Sequence, residues 1–353
     1  MLRTAAPLFR EAGVDCDVLS TGQVVGDYAG ALEQAGCRIH HLSWSRSPAF
    51  FAAVARLVRR GAYDVVHLHA ERSFFAYVAA LRLAGVKKLV RTVHNNFDFR
   101  GALRFRRGVE RRAAQRLGVR FITIAPGVDG TERRCYGTSP TLIPNWFDSA
   151  QFRPVTAAER AAARSALGIA DQEYALVTVG NCSDTKNHAA LIAALAGRAD
   201  RPWRYLHLGQ EAAGQAERGQ AQELGIAERV HFLRAVDDVR PVLRAADLYV
   251  MPSRFEGFSI AVLEALAMGL PALLADVPGL ADVRQYVDGV SYSAPDAESL
   301  SAALRQAMAR GPGLDPAGPA RSAAVHGAFG AARGVRDYCR VYAELLGAAI
   351  PTV

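Results

Sequence analysis

Residues 248–271 read Leu-Tyr-Val-Met-Pro-Ser-Arg-Phe-Glu-Gly-Phe-Ser-Ile-Ala-Val-Leu-Glu-Ala-Leu-Ala-Met-Gly-Leu-Pro. Leu248 to Met251 is a short apolar run of the kind that forms a buried strand, and Pro252 ends it. Ser259 is placed to cap a helix, which Gly269 and Pro271 then terminate. A strand feeding a helix through a tight loop is the repeat unit of a parallel sheet covered by helices on both faces. Working outward, the same alternation runs along most of the chain. In the first half the spacing predicts strands over Cys16 to Leu19, Arg38 to Leu42, Asp64 to His69, Leu89 to His94, Phe121 to Ala125 and Thr141 to Ile143. Helices such as Phe50 to Arg60 and Arg104 to Leu117 fall between them. In the second half the strands fall at Tyr174 to Val179, Arg204 to Leu208, Val230 to Leu233, Leu248 to Met251 and Ala272 to Leu274. Two doubly wound α/β halves result.

A chain of 353 residues exceeds one ordinary core of about 100–150 residues, so two domains are expected. Half of the residues are hydrophobic and 22% are charged, a composition that fits a globular, enzyme-like protein better than a disordered or fibrous one. No apolar stretch approaches the roughly 20 residues that cross a bilayer, and the N-terminus lacks the apolar centre of a signal peptide, so a cytosolic location is expected. Five scattered cysteines without a Cys-x-x-Cys pair suggest reduced thiols rather than a disulfide framework or a zinc site.

Charge divides the chain more sharply than composition does. Residues 1–150 hold 22 Lys/Arg against 12 Asp/Glu, whereas the remainder holds 20 against 22, so the basic character belongs to the first half. The turn-rich stretch Pro144 to Pro154 coincides with this break and marks the connection between domains 1–150 and 151–330. Gly311 to Pro319 reads as a loop before a last helix, Ala331 to Leu346, within a terminal segment 331–353. Leu2 to Ala12 already reads as a helix where a parallel-sheet domain normally opens with a strand and a Gly-rich turn, so the first domain is expected to lack its first strand.

Glu256 precedes the helix cap and Glu264 follows it, which places two carboxylates on either side of a helix N-terminus at about 10 Å separation. The positive end of a helix between two acids suits a ligand with anionic phosphates in the middle and hydroxyls at both ends, the shape of a nucleoside diphosphate sugar. The bland reading is a solvated loop residue and a surface helix residue. Ile260, Val262, Leu263 and Leu266 leave that helix little polar face, which weighs against it. Val179 to His188 reads as a strand running through Gly180, Asn181 and Cys182 to Lys186 at a helix start. It lacks the second glycine and the Lys-Ser/Thr pair of a phosphate loop. Lys186 is either a solvated residue or the cation that stabilises a leaving diphosphate, a task that requires no metal.

Together, Glu256 and Glu264 in E-x7-E spacing, the Gly180 to Lys186 loop, Ile143-Pro144-Asn145 and Thr92-Val93-His94 resemble the retaining group-1 (family 4) glycosyltransferases. The resemblance covers about residues 60 to 345. It implies a GT-B fold, two Rossmann-like doubly wound domains facing a central cleft, with the acceptor on the first and a nucleotide sugar on the second. It implies that Glu256 contacts hydroxyls of the donor sugar and Glu264 the ribose. Backbone amides of Gly257 and Phe258, next to Ser259, would face the sugar and diphosphate, with Gly180 and Asn181 lining the donor loop. Lys186 would hold the diphosphate, His94 would lie beside the transferred sugar, and the final helix would return to the first domain. The family commonly carries Arg where Asn181 stands, which removes one phosphate contact.

Transfer with retention of configuration, without cofactor or metal, in polysaccharide, cell-envelope glycan or glycolipid biosynthesis is the expectation. The alternatives are a nucleotide-sugar epimerase or hydrolase of the same fold, and a catalytically impaired membrane-peripheral partner protein. His67 and His69 alternate on one strand and so share a face, as structural residues. Cys182 near His188 lacks an orienting third group and is set aside as a nucleophile. Asp15-Cys16-Asp17 has the form of a metal-binding D-x-D but lies too close to the start to follow a nucleotide-binding domain. Arg104, Arg107 and Arg111, in a basic stretch with Phe105, Val109 and Leu117, are expected to face an anionic membrane surface at the inner face of the plasma membrane and a glycan, lipid-linked or small-molecule acceptor. A nucleic-acid partner is not expected, since no reader motif accompanies the charge.

Overall fold

A computed structural model describes residues 1–26, 28–97, 99–198 and 201–349. The chain forms two compact units. One runs from Met1 to Phe147 and resumes at Ala331; the other is Asp148–Gly330.

The first unit contains α1 (Leu2–Glu11), β1 (Asp17–Ser20), α2 (Ala29–Gln34), β2 (Arg38–His41), α3 (Pro48–Gly61), β3 (Val66–Leu68), α4 (Phe74–Leu83), β4 (Leu89–Val93), α5 (Gly101–Arg116), β5 (Val119–Thr123), α6 (Pro126–Tyr136) and β6 (Thr141–Leu142). All its strand pairs are parallel, but they form two pieces, β1-β2 and β3-β4-β5-β6. Neither β1 nor β3 has a second strand neighbour among the described residues, and both are half-buried where β4 is buried throughout. The core joins Phe9 and Ala5 of α1 to Val90, Ile122, Trp146 and the last helix of the chain.

The second unit contains α7 (Ala157–Ala166), β7 (Tyr174–Val179), α8 (His188–Ala196), β8 (Trp203–Leu208), α9 (Ala216–Glu223), β9 (Val230–Phe232), α10 (Arg240–Ala245), β10 (Leu248–Met251), α11 (Ile260–Ala267), β11 (Ala272–Ala275), β12 (Val290–Ser293), α12 (Ala297–Met308) and α13 (Gly318–Phe329). Its six parallel strands lie in the order β12-β11-β10-β7-β8-β9. β7, β10 and β11 are apolar because helices cover both faces. Leu191, Trp203, Tyr205, Leu273, Leu300 and Leu304 fill one side of the sheet. Local chemistry sets the helix starts: Thr156 and Glu159 form a capping box on α7, and Asp296 caps α12.

The last helix, α14 (Ala331–Leu346), packs on α1 of the first unit. Gly334 lies flat on Trp146, since a Cβ there would come 2.3 Å from the indole. Two expectations need correction. Gly311 to Pro319 is not a single loop ahead of the last helix, because α13 begins at Gly318 with Pro319 in its first turn, where proline's missing N–H costs nothing. Ser259 occupies the N-cap position of α11, but its side chain makes no capping bond.

Candidate functional site

β7 and β10 are neighbours in the sheet although 68 residues lie between Val179, where β7 ends, and Leu248, where β10 begins; the connections from these two strands leave in opposite directions, to β8 on one side and β11 on the other. The crevice beyond the carboxyl ends of strands at such a switch point is where doubly wound sheets bind ligands. The loops leaving β7 and β10 meet there. Arg254 N donates to Thr185 O at 2.8 Å, and Asn187 Nδ2 donates to Pro252 O at 2.9 Å and to Pro295 O at 2.8 Å. Asn187 is left-handed, with φ of +58°, a conformation that asparagine tolerates better than most residues.

This arrangement brings Lys186 and Glu256 together. Lys186 Nζ donates to Glu256 Oε1 at 2.5 Å, and Ser253 Oγ donates to the same oxygen at 2.9 Å. No hydrogen bond from the described residues reaches Oε2. Gly257 and Phe258 follow in the loop. Both are buried, and the Phe258 ring packs on Phe329 with centroids 5.3 Å apart, fixing the backbone just before α11. The first turn of α11 has no side-chain cap and no acid, so no side chain of that turn offsets its positive end. Glu264 lies one turn further along. Burial pushes its carboxyl up to about 7, with the nearby charge of Asp148 acting in the same direction.

Gly180 ends β7 and Gly209 ends β8. A Cβ on Gly209 would lie 2.1 Å from Gly180 O, so only glycine permits this approach. Asn181, exposed, accepts from Gln210 N at 2.8 Å through Oδ1 and thereby holds the loop. Cys182 is buried, 3.6 Å from His207 Nε2 rather than against His188. Burial pushes its thiol up to about 12, which removes it as a nucleophile.

Sequence reasoning missed three supports of this site. Gly279, with φ of +88°, lies against the Glu256–Gly257 backbone; a Cβ there would come 2.4 Å from Glu256 O. Ser253 and Asn187 are the others. The glycine following Pro278 was a visible turn signal, but nothing in the sequence tied that turn to Glu256.

In the first unit, β3 and β4 are adjacent, and their carboxyl ends carry His69 and His94. His69 Nδ1 and His94 Nε2 are 2.8 Å apart, and burial, followed by the charge of Arg91, lowers the pKa of His94. His67 and His69 do share a face, with ring centroids 4.2 Å apart. His67 is held at 2.7 Å by both Tyr342 and Thr92, a structural position. Asp17 of the D-x-D is engaged by Tyr63, His40 and Arg38, and no group of three or more metal-ligating side chains occurs among the described residues.

The basic helix α5 departs from expectation at two of its three named arginines. Arg104, Arg107 and Arg111 follow helical spacing, but Arg107 and Arg111 turn into the unit. Arg111 is fully buried, with Nε 2.9 Å from Glu132 Oε1 and Nη2 3.1 Å from Glu71 Oε1. Arg107 is mostly covered, pairing with Glu110 at 2.9 Å. Arg91 completes the cluster, ion-paired to Glu71 and stacked 3.6 Å over Phe74. Arg111 therefore cannot meet a membrane, because two interior carboxylates hold it. Arg104 remains exposed, and Phe105 and Val109 point outward at 72% and 45% exposure.

Two Rossmann-like units of parallel strands, with a switch-point cluster in the second, define an enzyme class of GT-B fold. The comparisons agree. The family described as glycosyl transferases group 1 matches residues 159–316, and glycosyltransferase family 4 matches residues 2–151. Both halves of the chain thus match glycosyltransferase families. A GDP-mannose:cellobiosyl-diphosphopolyprenol alpha-mannosyltransferase of Komagataeibacter xylinus is 25% identical, over 99% of this chain and 90% of that protein. A D-inositol 3-phosphate glycosyltransferase of Nocardia farcinica is 39% identical over 39% of this chain, a match that spans only 33% of that protein. Anabaena HepE, solved in complex with UDP and glucose, superposes with a TM-score of 0.78 at 18% identity, covering 99% of this chain and 95% of that one. No helix among the described residues is long and apolar enough to cross a membrane.

Proposed function

We propose that the second unit binds a nucleoside diphosphate sugar and that the chain transfers its sugar to an acceptor hydroxyl with retention of configuration and without a metal. The observation that carries this reading is the meeting of Lys186 and Glu256 at the switch point, beside the uncapped start of α11. Glu256, through its open oxygen, would accept from hydroxyls of the sugar. Glu264 would accept from the ribose hydroxyls. Gly257, Phe258 and Ser259 would present backbone to the diphosphate, with Gly180 and Asn181 opposite. Lys186 would exchange its carboxylate partner for the diphosphate oxygens and stabilise the charge that builds there as the bond to the sugar breaks.

In this mechanism the acceptor oxygen bonds to the anomeric carbon on the face from which the diphosphate leaves. The departing phosphate oxygen takes the acceptor's proton, so no protein nucleophile is required. His94, its ring oriented by His69, is the first unit's proposed contribution to the transferred sugar. The acceptor is a glycan, a lipid-linked saccharide or a small molecule, and the Komagataeibacter relative, named for a diphosphopolyprenol-linked acceptor, favours the lipid-linked class. That context suits polysaccharide or glycolipid assembly at the inner face of the plasma membrane. HepE, a neighbour in fold with UDP and glucose, makes UDP-sugars the first donors to try.

The test is a screen of UDP-, GDP- and ADP-sugars for donor turnover, with and without acceptor and with chelator added throughout. Glu256→Ala should abolish transfer while leaving the melting temperature near wild type. Turnover that needs Mn²⁺ or Mg²⁺, product formed without any acceptor, or a fully active Glu256→Ala variant would each contradict this reading. Nucleotide binding without turnover in any condition would favour the impaired partner protein.

A further inference from the structure

α3 and α4 pack side by side in the first unit and leave an open groove of about 920 Å³ between them. Its floor is alanine from both helices with Phe51 on one wall. Its polar lining side chains are all arginine: Arg46, Arg56, Arg59 and Arg60. All four are exposed, and none makes an ion pair or side-chain hydrogen bond with a described residue. This contrasts with α5 of the same unit, where the arginines of one stripe are spent on interior carboxylates. At the groove's end, Leu83 stands 90% exposed.

An apolar floor with a purely cationic border selects the chemistry of its occupant. A peptide would bring backbone and polar side chains that need both donors and acceptors, and the groove's side chains offer no acceptor. A sugar would find a floor without hydrogen-bonding partners. An acyl chain under a phosphate matches both features, since it needs apolar area for the chain and cations for the headgroup. Arginine at the last turn of α3 also complements the helix dipole. That accounts for one guanidinium near Ala62 but not for Arg46, which precedes the helix, nor for an exposed leucine across the groove.

We propose that the α3–α4 groove is a seat for anionic phospholipid of a membrane leaflet, with the phosphate among Arg46, Arg56, Arg59 and Arg60 and the apolar part of the lipid against the alanine floor and Leu83. This surface is separate from the exposed part of α5 and independent of the donor site.

The full chain is tested by co-sedimentation with vesicles of phosphatidylcholine alone and with a phosphatidylglycerol fraction. Binding should require phosphatidylglycerol and weaken as salt is raised. Each arginine near an anionic surface contributes roughly fivefold, so R56Q/R59Q/R60Q should reduce binding about a hundredfold. Ala79→Trp, which fills the floor while keeping every charge, should weaken binding too, and Arg104→Gln with Phe105→Ser on α5 should leave it unchanged. UDP titration should be the same in all these variants, which keeps failure here distinct from failure of the donor site. The proposal is overturned if the triple variant and Ala79→Trp bind like wild type, if α5 carries the binding, or if neutral vesicles bind equally well. A dimer abolished by Ala79→Trp would assign the groove to a second copy of the chain and equally overturn it.

Discussion

Each unit joins a cation to a carboxylate across a long stretch of sequence, but solvent reaches the two pairs differently. Arg111 and Glu132 in the first unit have side chains 0% and 2% exposed, and Lys186 and Glu256 in the second are 27% and 13% exposed. In the first, Glu71 is shared among Arg91, Arg107 and Arg111, so the guanidinium charge is met from inside. In the second, Glu256 keeps an oxygen without a partner, and the helix end beside it is uncapped. A pair shut off from solvent can only hold the fold, whereas one that solvent reaches can exchange its partner for a ligand.

The sharpest way to break this contrast is to remove one cation from each pair. Lys186→Met should lower kcat by about 10²–10³-fold, the range seen when a preorganised stabiliser of transition-state charge is removed, with little change in thermal stability. A stability loss comparable to that of the interior pair would erase the distinction. Arg111→Met leaves Glu132 buried without its guanidinium and should cost about 3–5 kcal/mol of folding stability. For a unit of this size that corresponds to a melting temperature lowered by roughly 10 °C, read by calorimetry.

Gly279→Ala tests whether the open pair is held from behind. A Cβ 2.4 Å from Glu256 O at φ +88° must move one backbone or the other. Misplacing a reacting group by about 1 Å can cost about 10²-fold in rate, and the loss should appear in kcat with the Glu256 side chain still present. Wild-type kinetics in this variant would show that the turn does not position Glu256.

The smallest effect concerns Glu264, whose folded pKa of about 7 lies above the ordinary value of 4.5. A raised carboxyl pKa means that the folded state prefers the proton. Its contribution is most favourable below about pH 4.5 and is lost progressively as pH rises to about 7. Glu264→Gln should therefore match wild type in melting temperature at pH 4.5 and exceed it at pH 8. Nucleotide affinity of the wild type should rise through about pH 7 as the carboxylate forms, and the Gln variant should lack that step. Parallel pH profiles for the two proteins would rule out ionised Glu264 as the ribose contact.

Much of the second unit, and the last helix of the first, was legible. β7 at Tyr174–Val179, β10 at Leu248–Met251 and α14 at Ala331–Leu346 match the expected bounds. In the two strands an unbroken apolar run lies between turn residues, and in α14 apolar residues recur at helical spacing. β12 was missed because Val290–Ser293 is a short edge strand with two serines. α13 carries Gly318, Pro319 and Gly327, poor helix formers. Tertiary bonds hold it: Ser322 Oγ donates to Ala267 O at 2.5 Å, and Arg321 pairs with Asp315 at 2.7 Å. In α5 the periodicity was right but Arg107 and Arg111 face inward, since arginines usually meet water and these meet Glu71 and Glu132 instead.

From sequence alone came the alternation of strands and helices, the charge break near residue 150 and the candidate residues Lys186, Glu256 and Glu264. These rest on local physics: backbone preference, hydrophobic period, and the few residue types that carry charge. Only the tertiary structure decided that β10 lies beside β7, and hence that Lys186 touches Glu256. It alone decided that Gly279 backs the same peptide, and that Arg111 lies inside while the arginines of α3 stay free. Strand order and helix facing depend on what every other element covers, and that information is spread over the whole chain.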